Sequence, residues 1–233
     1  MAKLPEPLQR HLDRCLCSPP AEARDPLIEQ RGEMRLKVDG KWLPFTAEQW
    51  FGADRVAFCW HARVKMAPLL TAVVEDAYED GEGRLEAKLW GMIPVADAKG
   101  PEIDRGEVER YLAELPWNPL ALVNNPALRF GEGEDGPVRI WALDPDTYVD
   151  VRFDAQGDIC GIFTRTRSHD GQVDPWEGEF SDYRELGGVR VPTRGQVRWH
   201  LPSGSFDYWR GEITALRWGA PRPGRTSAGP GTR

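Results

Sequence analysis

The sequence predicts a mainly β protein of the α+β kind: a single curved antiparallel sheet, or half-barrel, of about ten strands wrapped around one or two helices. Three observations carry that prediction. Apolar residues recur with a period of two through most of the chain, as in strands that bury one face. Short clusters of turn residues (DPD, DAQGD, LGG and PSGS among them) separate the alternating stretches closely enough for a meander. Helical periodicity is confined to two stretches, and a sheet this wide must curl or close.

The first helix is expected over Pro7–Cys17, where Leu8, Leu12, Cys15 and Leu16 share a face and Ser18-Pro19-Pro20 ends it. From Ile28 to Val38 the even positions read Ile, Gln, Gly, Met, Leu, Val and the odd ones Glu, Arg, Glu, Arg, Lys, which marks a half-buried strand. In "WLPFTAEQWF", Thr46 is expected to cap a short helical turn through Trp50. Val56–Met66 alternates again, and Leu70–Tyr78 with Arg84–Trp90 flank "EDGEG", the clearest hairpin signal in the chain. The interior helix is expected over Arg105–Leu115. Asp104 is its N-cap, Glu107 completes a capping box, and Val108, Tyr111, Leu112 and Leu115 form its apolar stripe. "WNPLALVNNPALRF" reads as a short apolar helical turn or loop.

From Val138 on, strands are expected at Val138–Leu143, Tyr148–Phe153, Ile159–Arg167, Trp176–Glu185, Val189–Leu201 and Phe206–Trp218. Residues 219–233 hold no large apolar side chain and are expected to be a disordered Pro/Gly/Ser-rich tail, leaving residues 1–218 as a single domain.

The net charge of -7 argues against a general nucleic-acid binder. Residues 184–233 nevertheless carry nine Arg against Glu185, Asp207 and Glu212, a strip that either attracts an anion or alternates along strands facing water. The four cysteines show no CxxC pair and the histidines are scattered, so neither a disulfide framework, a metal site nor a cofactor is expected. No stretch is apolar enough for a signal peptide or a membrane span, which places the chain in the cytoplasm as an expectation, without stable membrane insertion.

The strings "PFTAEQWF", "ARVKMAP", "IPVADAKGPEIDRGEVERYLAELPW", "PWEGEFSDYRE", "VRVPTRGQVRWHLPSG" and "FDYWRGEITAL" resemble those of a bacterial family known only as a domain of unknown function. The resemblance covers roughly residues 4–218. It implies an architecture similar to the lipoprotein-carrier half-barrels, in which a curved sheet holds acyl chains, although the export signal and amino-terminal anchor of the carriers are not expected here. Some cofactor-free biosynthetic enzymes are built on similar half-barrels.

Ten tryptophans are the least ordinary feature of the composition and would either fill a large core or line an apolar cavity. The leading expectation is a half-barrel that binds a hydrophobic small molecule, such as an acyl or polyketide-like compound, in an aromatic-lined cavity. Candidate binding residues are Arg110, Trp117, Trp176, Tyr183, Arg194, Trp199, Tyr208 and Arg210. The alternative is a cofactor-independent cyclase, isomerase or dehydratase on the same cavity, with Glu177, Tyr111 or His200 moving the proton. A protein-interaction module is a third reading. Strand parity separates Trp176, Gly178 and Phe180 from Glu177, Glu179 and Tyr183, so the two glutamates line the cavity only if that second face looks inward. Parity also puts Arg194 and His200 on one face and Tyr208 and Arg210 on another, and neighbouring strands would gather them into a polar cluster.

Overall fold

The computed structural model describes residues 4–21, 23–169 and 171–223, His169 by its backbone alone. Helix α1 (Glu6–Cys15) leads into a meander of β1 (Pro26–Met34), β2 (Leu43–Phe51), β3 (Phe58–Ala67), β4 (Leu70–Glu79), β5 (Glu82–Leu89) and β6 (Ile93–Lys99). Helix α2 (Pro101–Ala113), a 3-10 turn at Leu115–Trp117 and α3 (Ala121–Asn124) follow. A second meander runs through β7 (Leu128–Gly131), β8 (Val138–Ala142), β9 (Asp144–Phe153) and β10 (Ile159–Thr164). After the small hairpin of β11 (Ser168–His169) and β12 (Gln172–Val173) it ends in β13 (Trp176–Leu186), β14 (Val189–Leu201) and β15 (Gly204–Trp218).

Thirteen of these strands form one antiparallel sheet in the order β6-β5-β4-β3-β2-β1-β15-β14-β13-β10-β9-β8-β7. The meanders join through β1 and β15, so the chain between β6 and β7 must travel from one edge of the sheet to the other. It does so across the inner face: α2 packs on β4, β5 and β6 and also on β8 and β9. A helix touching both ends of one open sheet requires the sheet to curl around it, which is the expected half-barrel.

The predicted hairpin closes at Asp80 and Gly81, both at positive φ (55° and 90°), the geometry of a tight two-residue hairpin turn. Three local expectations are corrected. "LPFTAEQWF" is not a helical turn but strand β2, paired on both edges with β1 and β3. Phe45, Ala47, Gln49 and Phe51 give it a buried period-two stripe that outweighs Thr46 as a cap. Asp104 does not cap α2, which begins three residues earlier; its carboxylate accepts the Gly83 amide at 2.7 Å and ties the helix to β5. Glu107 closes no capping box and is buried. The sequence also missed β6, an edge strand whose exposed Ile93-Pro94-Val95 has no buried stripe to announce it.

Of the expected tail, Ala220 packs with Leu27, Trp50 and Ala57, and the Arg222 guanidinium lies 4.7 Å over the Trp50 ring and pairs with Glu79. Residues 224–233, and Asp170 in the connection before β13, lie outside the described residues.

Candidate functional site

Between α2 and the middle strands lies a cavity of about 250 Å³. Its apolar wall is aromatic: Trp60 from β3, Trp117 from the 3-10 turn, Trp176 and Phe180 from β13, and Tyr208 and Trp209 from β15. The rings run in a chain, with centroids 5.8 Å apart for Phe45–Trp60, 5.7 Å for Phe45–Trp209, 5.9 Å for Trp117–Trp209 and 5.5 Å for Trp117–Phe180. Two glycines let these rings lie directly on the backbone. A Cβ at Gly195 would stand 2.9 Å from the Trp117 ring, and one at Gly32 would stand 2.9 Å from the Phe45 ring.

Tyr208 and Trp209 are neighbours in sequence yet both line the cavity. The cause is a β-bulge. Val197 pairs with Trp209 and Arg198 with Asp207, leaving Tyr208 as the extra residue of β15. The bulge resets parity, so Tyr208 points inward while Arg210 stays outside, paired with Glu33 at 3.0 Å and 4.3 Å over the Trp42 ring. The expected cluster of Arg194, His200, Tyr208 and Arg210 therefore does not form. Tyr208 accepts a hydrogen bond from the Trp176 indole at 3.0 Å, across the sheet from the other three.

The polar part of the cavity comes from one side of α2 and from the strands it faces. Arg110 pairs with Asp76 of β4 and with Glu114 at 3.0 Å, its guanidinium held between the rings of Phe58 (4.9 Å) and Trp60 (5.2 Å). Burial works against the guanidinium's charge, but Glu114 and Asp76 hold it firmly protonated. Glu114 also accepts from Gln49, which accepts from Gln30 at 3.2 Å, which in turn accepts the Trp60 indole N–H at 2.7 Å. Arg167 donates to the Gly106 carbonyl at 2.6 Å and lies 4.6 Å over Trp176.

Two oxygens stand out from this network. Asp76 Oδ1 and Glu107 Oε2 are buried and have no hydrogen-bond partner among the described residues. Asp76 and Glu107 are 7% and 6% exposed, and both line the cavity. Burial pushes the Glu107 carboxyl well above its usual range, and the Asp76 carboxylate pushes it further; Arg110 and Arg167 oppose the shift. Sequence reasoning missed Glu107 because a Glu three residues after Asp104 matches a capping box.

The residues put forward from the sequence fall into three groups. Arg110, Trp117, Trp176 and Tyr208 line the cavity. Trp199 sits behind them, 6.4 Å from Trp176 and 6.3 Å from Tyr208 between ring centroids. The others do not reach it. Glu177 and His200 do meet, at 2.8 Å, but on the outer face, where Glu177 also pairs with Arg152. Burial opposes ionisation of Glu177, yet hydrogen bonds from Arg152 and His200 outweigh it and hold the carboxyl below its usual range. Tyr111 is wholly buried in the core. Its hydroxyl donates to the Gly52 carbonyl at 3.0 Å and accepts from Asn125 at 2.9 Å, and burial pushes it well above the usual phenol range, outside any acid–base role near neutrality.

Tyr183 donates to the Ile159 carbonyl at 2.8 Å beneath Arg190 and packs edge-on against His11. Beside it, Cys15 Sγ lies 3.4 Å from His11 Nε2. Burial pushes the thiol up to about 12 and the imidazole down to about 4, so the pair is neutral packing and not a thiolate nucleophile. Arg194 lies 3.6 Å from Asp182 on the outer face. Much of the basic strip is matched: Arg198 with Asp207, Arg190 with Asp158 and Arg217 with Glu29. No cluster of His, Cys, Asp and Glu among the described residues has the arrangement of a metal site, and no helix there is long and apolar enough to cross a membrane.

A family model described as "Family of unknown function (DUF6544)" matches residues 1–211. No curated protein matches the chain. Among solved structures, the chain is similar to a putative outer membrane lipoprotein-sorting protein domain from Vibrio parahaemolyticus, with a TM-score of 0.51, 9% identity and coverage of 94% of each chain. It also aligns with a LolA superfamily protein from Nitrosomonas europaea at a TM-score of 0.49 and 8% identity, covering 92% of this chain and 93% of that one.

Proposed function

The chain belongs to the DUF6544 family, and on that footing we propose that it is a small-molecule-binding half-barrel that takes a hydrophobic ligand into the aromatic cavity beneath α2. The observation that carries this reading is the cavity wall: six aromatic residues facing one space of about 250 Å³, in a fold whose sheet stays open. Trp rings are large enough to fill such a space, yet Trp117 and Trp209 pack close against the glycine backbone at Gly195 and the space between the rings stays open. The similarity to the lipoprotein-sorting domain supports the reading at the level of the fold alone.

The acid–base candidates from the sequence do not support a catalytic variant of this reading. Glu177 and His200 are across the sheet from the cavity and Tyr111 is engaged in the core. The test is native mass spectrometry of the purified protein for a co-purified apolar molecule, joined to quenching of tryptophan fluorescence by added apolar ligands. Val74→Trp, which fills the cavity from the half-buried wall of β4, should abolish both signals. Ligand retention by that variant would refute binding in this cavity.

A further inference from the structure

The polar end of the cavity has a defined hydrogen-bonding sense. Arg110 already donates to Asp76 and Glu114 and lies against the rings of Phe58 and Trp60. What is left over is on the acceptor side: the buried, unpartnered Asp76 Oδ1 and Glu107 Oε2. A carboxylate or phosphate head entering here would meet the Asp76 carboxylate, and its approach would be repelled. A neutral carbonyl would find Glu107 as a donor but would leave Asp76 Oδ1 unsatisfied. An ammonium group has three donors and no acceptor, which matches two bare oxygens. It would also sit among Trp60, Trp176 and Tyr208, whose ring faces attract cations.

The charges facing the cavity point the same way. Asp76 comes from β4, Glu107, Arg110 and Glu114 from α2, Arg167 from the segment after β10, and the neutral hydroxyl of Tyr208 from β15. Three carboxyl groups thus face two guanidinium groups, and the empty cavity is balanced only with Glu107 protonated.

We propose that the ligand is an apolar amine, its ammonium seated between Asp76 Oδ1 and Glu107 Oε2 and its hydrocarbon body against Trp117, Trp176 and Phe180. This rests on the ligand-binding reading above and narrows it to one head-group chemistry. The cation takes the place of the Glu107 proton: as R–NH₃⁺ enters, the Oε2–H bond breaks and the proton passes to solvent, so the net charge in the cavity is unchanged.

Three probes of equal chain length separate the possibilities: octylamine, octanol and octanoate, titrated calorimetrically at neutral pH. Octylamine should bind about tenfold more tightly than octanol or better, as a charge-assisted pair to carboxylate would give, with octanoate weakest. Titration in two buffers of different ionisation heat should show close to one proton released per octylamine and none per octanol. Glu107→Gln and Asp76→Asn should each erase the amine preference, bringing octylamine affinity down to that of octanol in the same variant, with circular dichroism of each variant reporting that it is folded. Equal affinity for all three probes, or a preference for octanoate, would overturn the amine proposal and leave the apolar cavity standing. If no probe binds, the ligand-binding reading falls and the amine proposal with it.

Discussion

Glu107 and Glu177 sit on opposite sides of one sheet, both at least nine-tenths buried by residue, and the sheet sends their protons in opposite directions. Glu177 on the outer face meets two donors, Arg152 and His200, and is held ionised. Glu107 on the inner face meets a second carboxylate in Asp76 and an unfilled space, and burial pushes its carboxyl well above the usual range. The lesson extends to the arginines. Outside, Arg210 pairs with Glu33 with about half its side chain in water; inside, Arg110 is 15% exposed and holds two carboxylates together. The outer face is a solvated ion-pair lattice, while the inner face is a small set of charges that depend on one another.

Removing one guanidinium from each face tests that contrast most strongly. Arg110→Ala leaves Asp76 and Glu114 buried without a counter-charge and should cost about 3–5 kcal/mol of unfolding free energy. Arg210→Ala removes an exposed pair and should cost roughly 0.2–1 kcal/mol. Urea denaturation of the two variants beside the parent protein reads both values. Similar losses would mean that the inner charges are solvated and the cavity wet.

The next contrast is in pH. Because burial raises the folded carboxyl of Glu107 above its unfolded value of about 4.3, stability is unaffected below about pH 4, where both states hold the proton. Above that, the unfolded chain releases the proton while the folded one keeps it. Stability therefore falls as pH rises, by at most about 1.4 kcal/mol per pH unit, until the folded carboxyl titrates. Glu107→Gln removes this slope, so its stability advantage over the parent should grow from pH 4 upward. Parallel stability curves for the two proteins would show that Glu107 is ionised in the fold.

Much of this arrangement is readable in the chain before folding. Parity alone put Trp176 and Phe180 on one surface of β13 and Glu177 and Glu179 on the other, and the structure keeps that division. The alternating stretches, the Asp80-Gly81 turn and the apolar stripe of α2 gave the half-barrel its parts. Two features broke the reading, each for a physical reason. The bulge at Tyr208 inserts one residue, and no local signal in "FDYWRGE" marks where the period slips. On α2 only Arg110 was put forward for the cavity, while Glu107 read as the end of a capping box. This helix lies inside a curled sheet that covers it from both ends, so Glu107, Arg110 and Glu114 face a cavity. Nothing in the spacing of those three residues distinguishes the two situations; only the long-range pairing of β1 with β15, which curls the sheet, decides it.

The smallest expected effect closes the comparison by reversing its sign. Glu177 has its folded carboxyl below the unfolded value, so it contributes stability above about pH 4.3 that is lost as pH falls through the folded value. Glu177→Gln should therefore cost up to about 1 kcal/mol near neutrality, limited by an Arg152 partner that is 41% exposed, and the cost should shrink to nothing in acid. Its difference curve against the parent should run opposite to that of Glu107→Gln across the same pH range. In the octanol titration Glu177→Gln should bind like the parent, because no atom of Glu177 lines the cavity. A loss of octanol binding in this variant alone would move the functional site to the outer face, where Glu177, His200 and Arg152 already stand together.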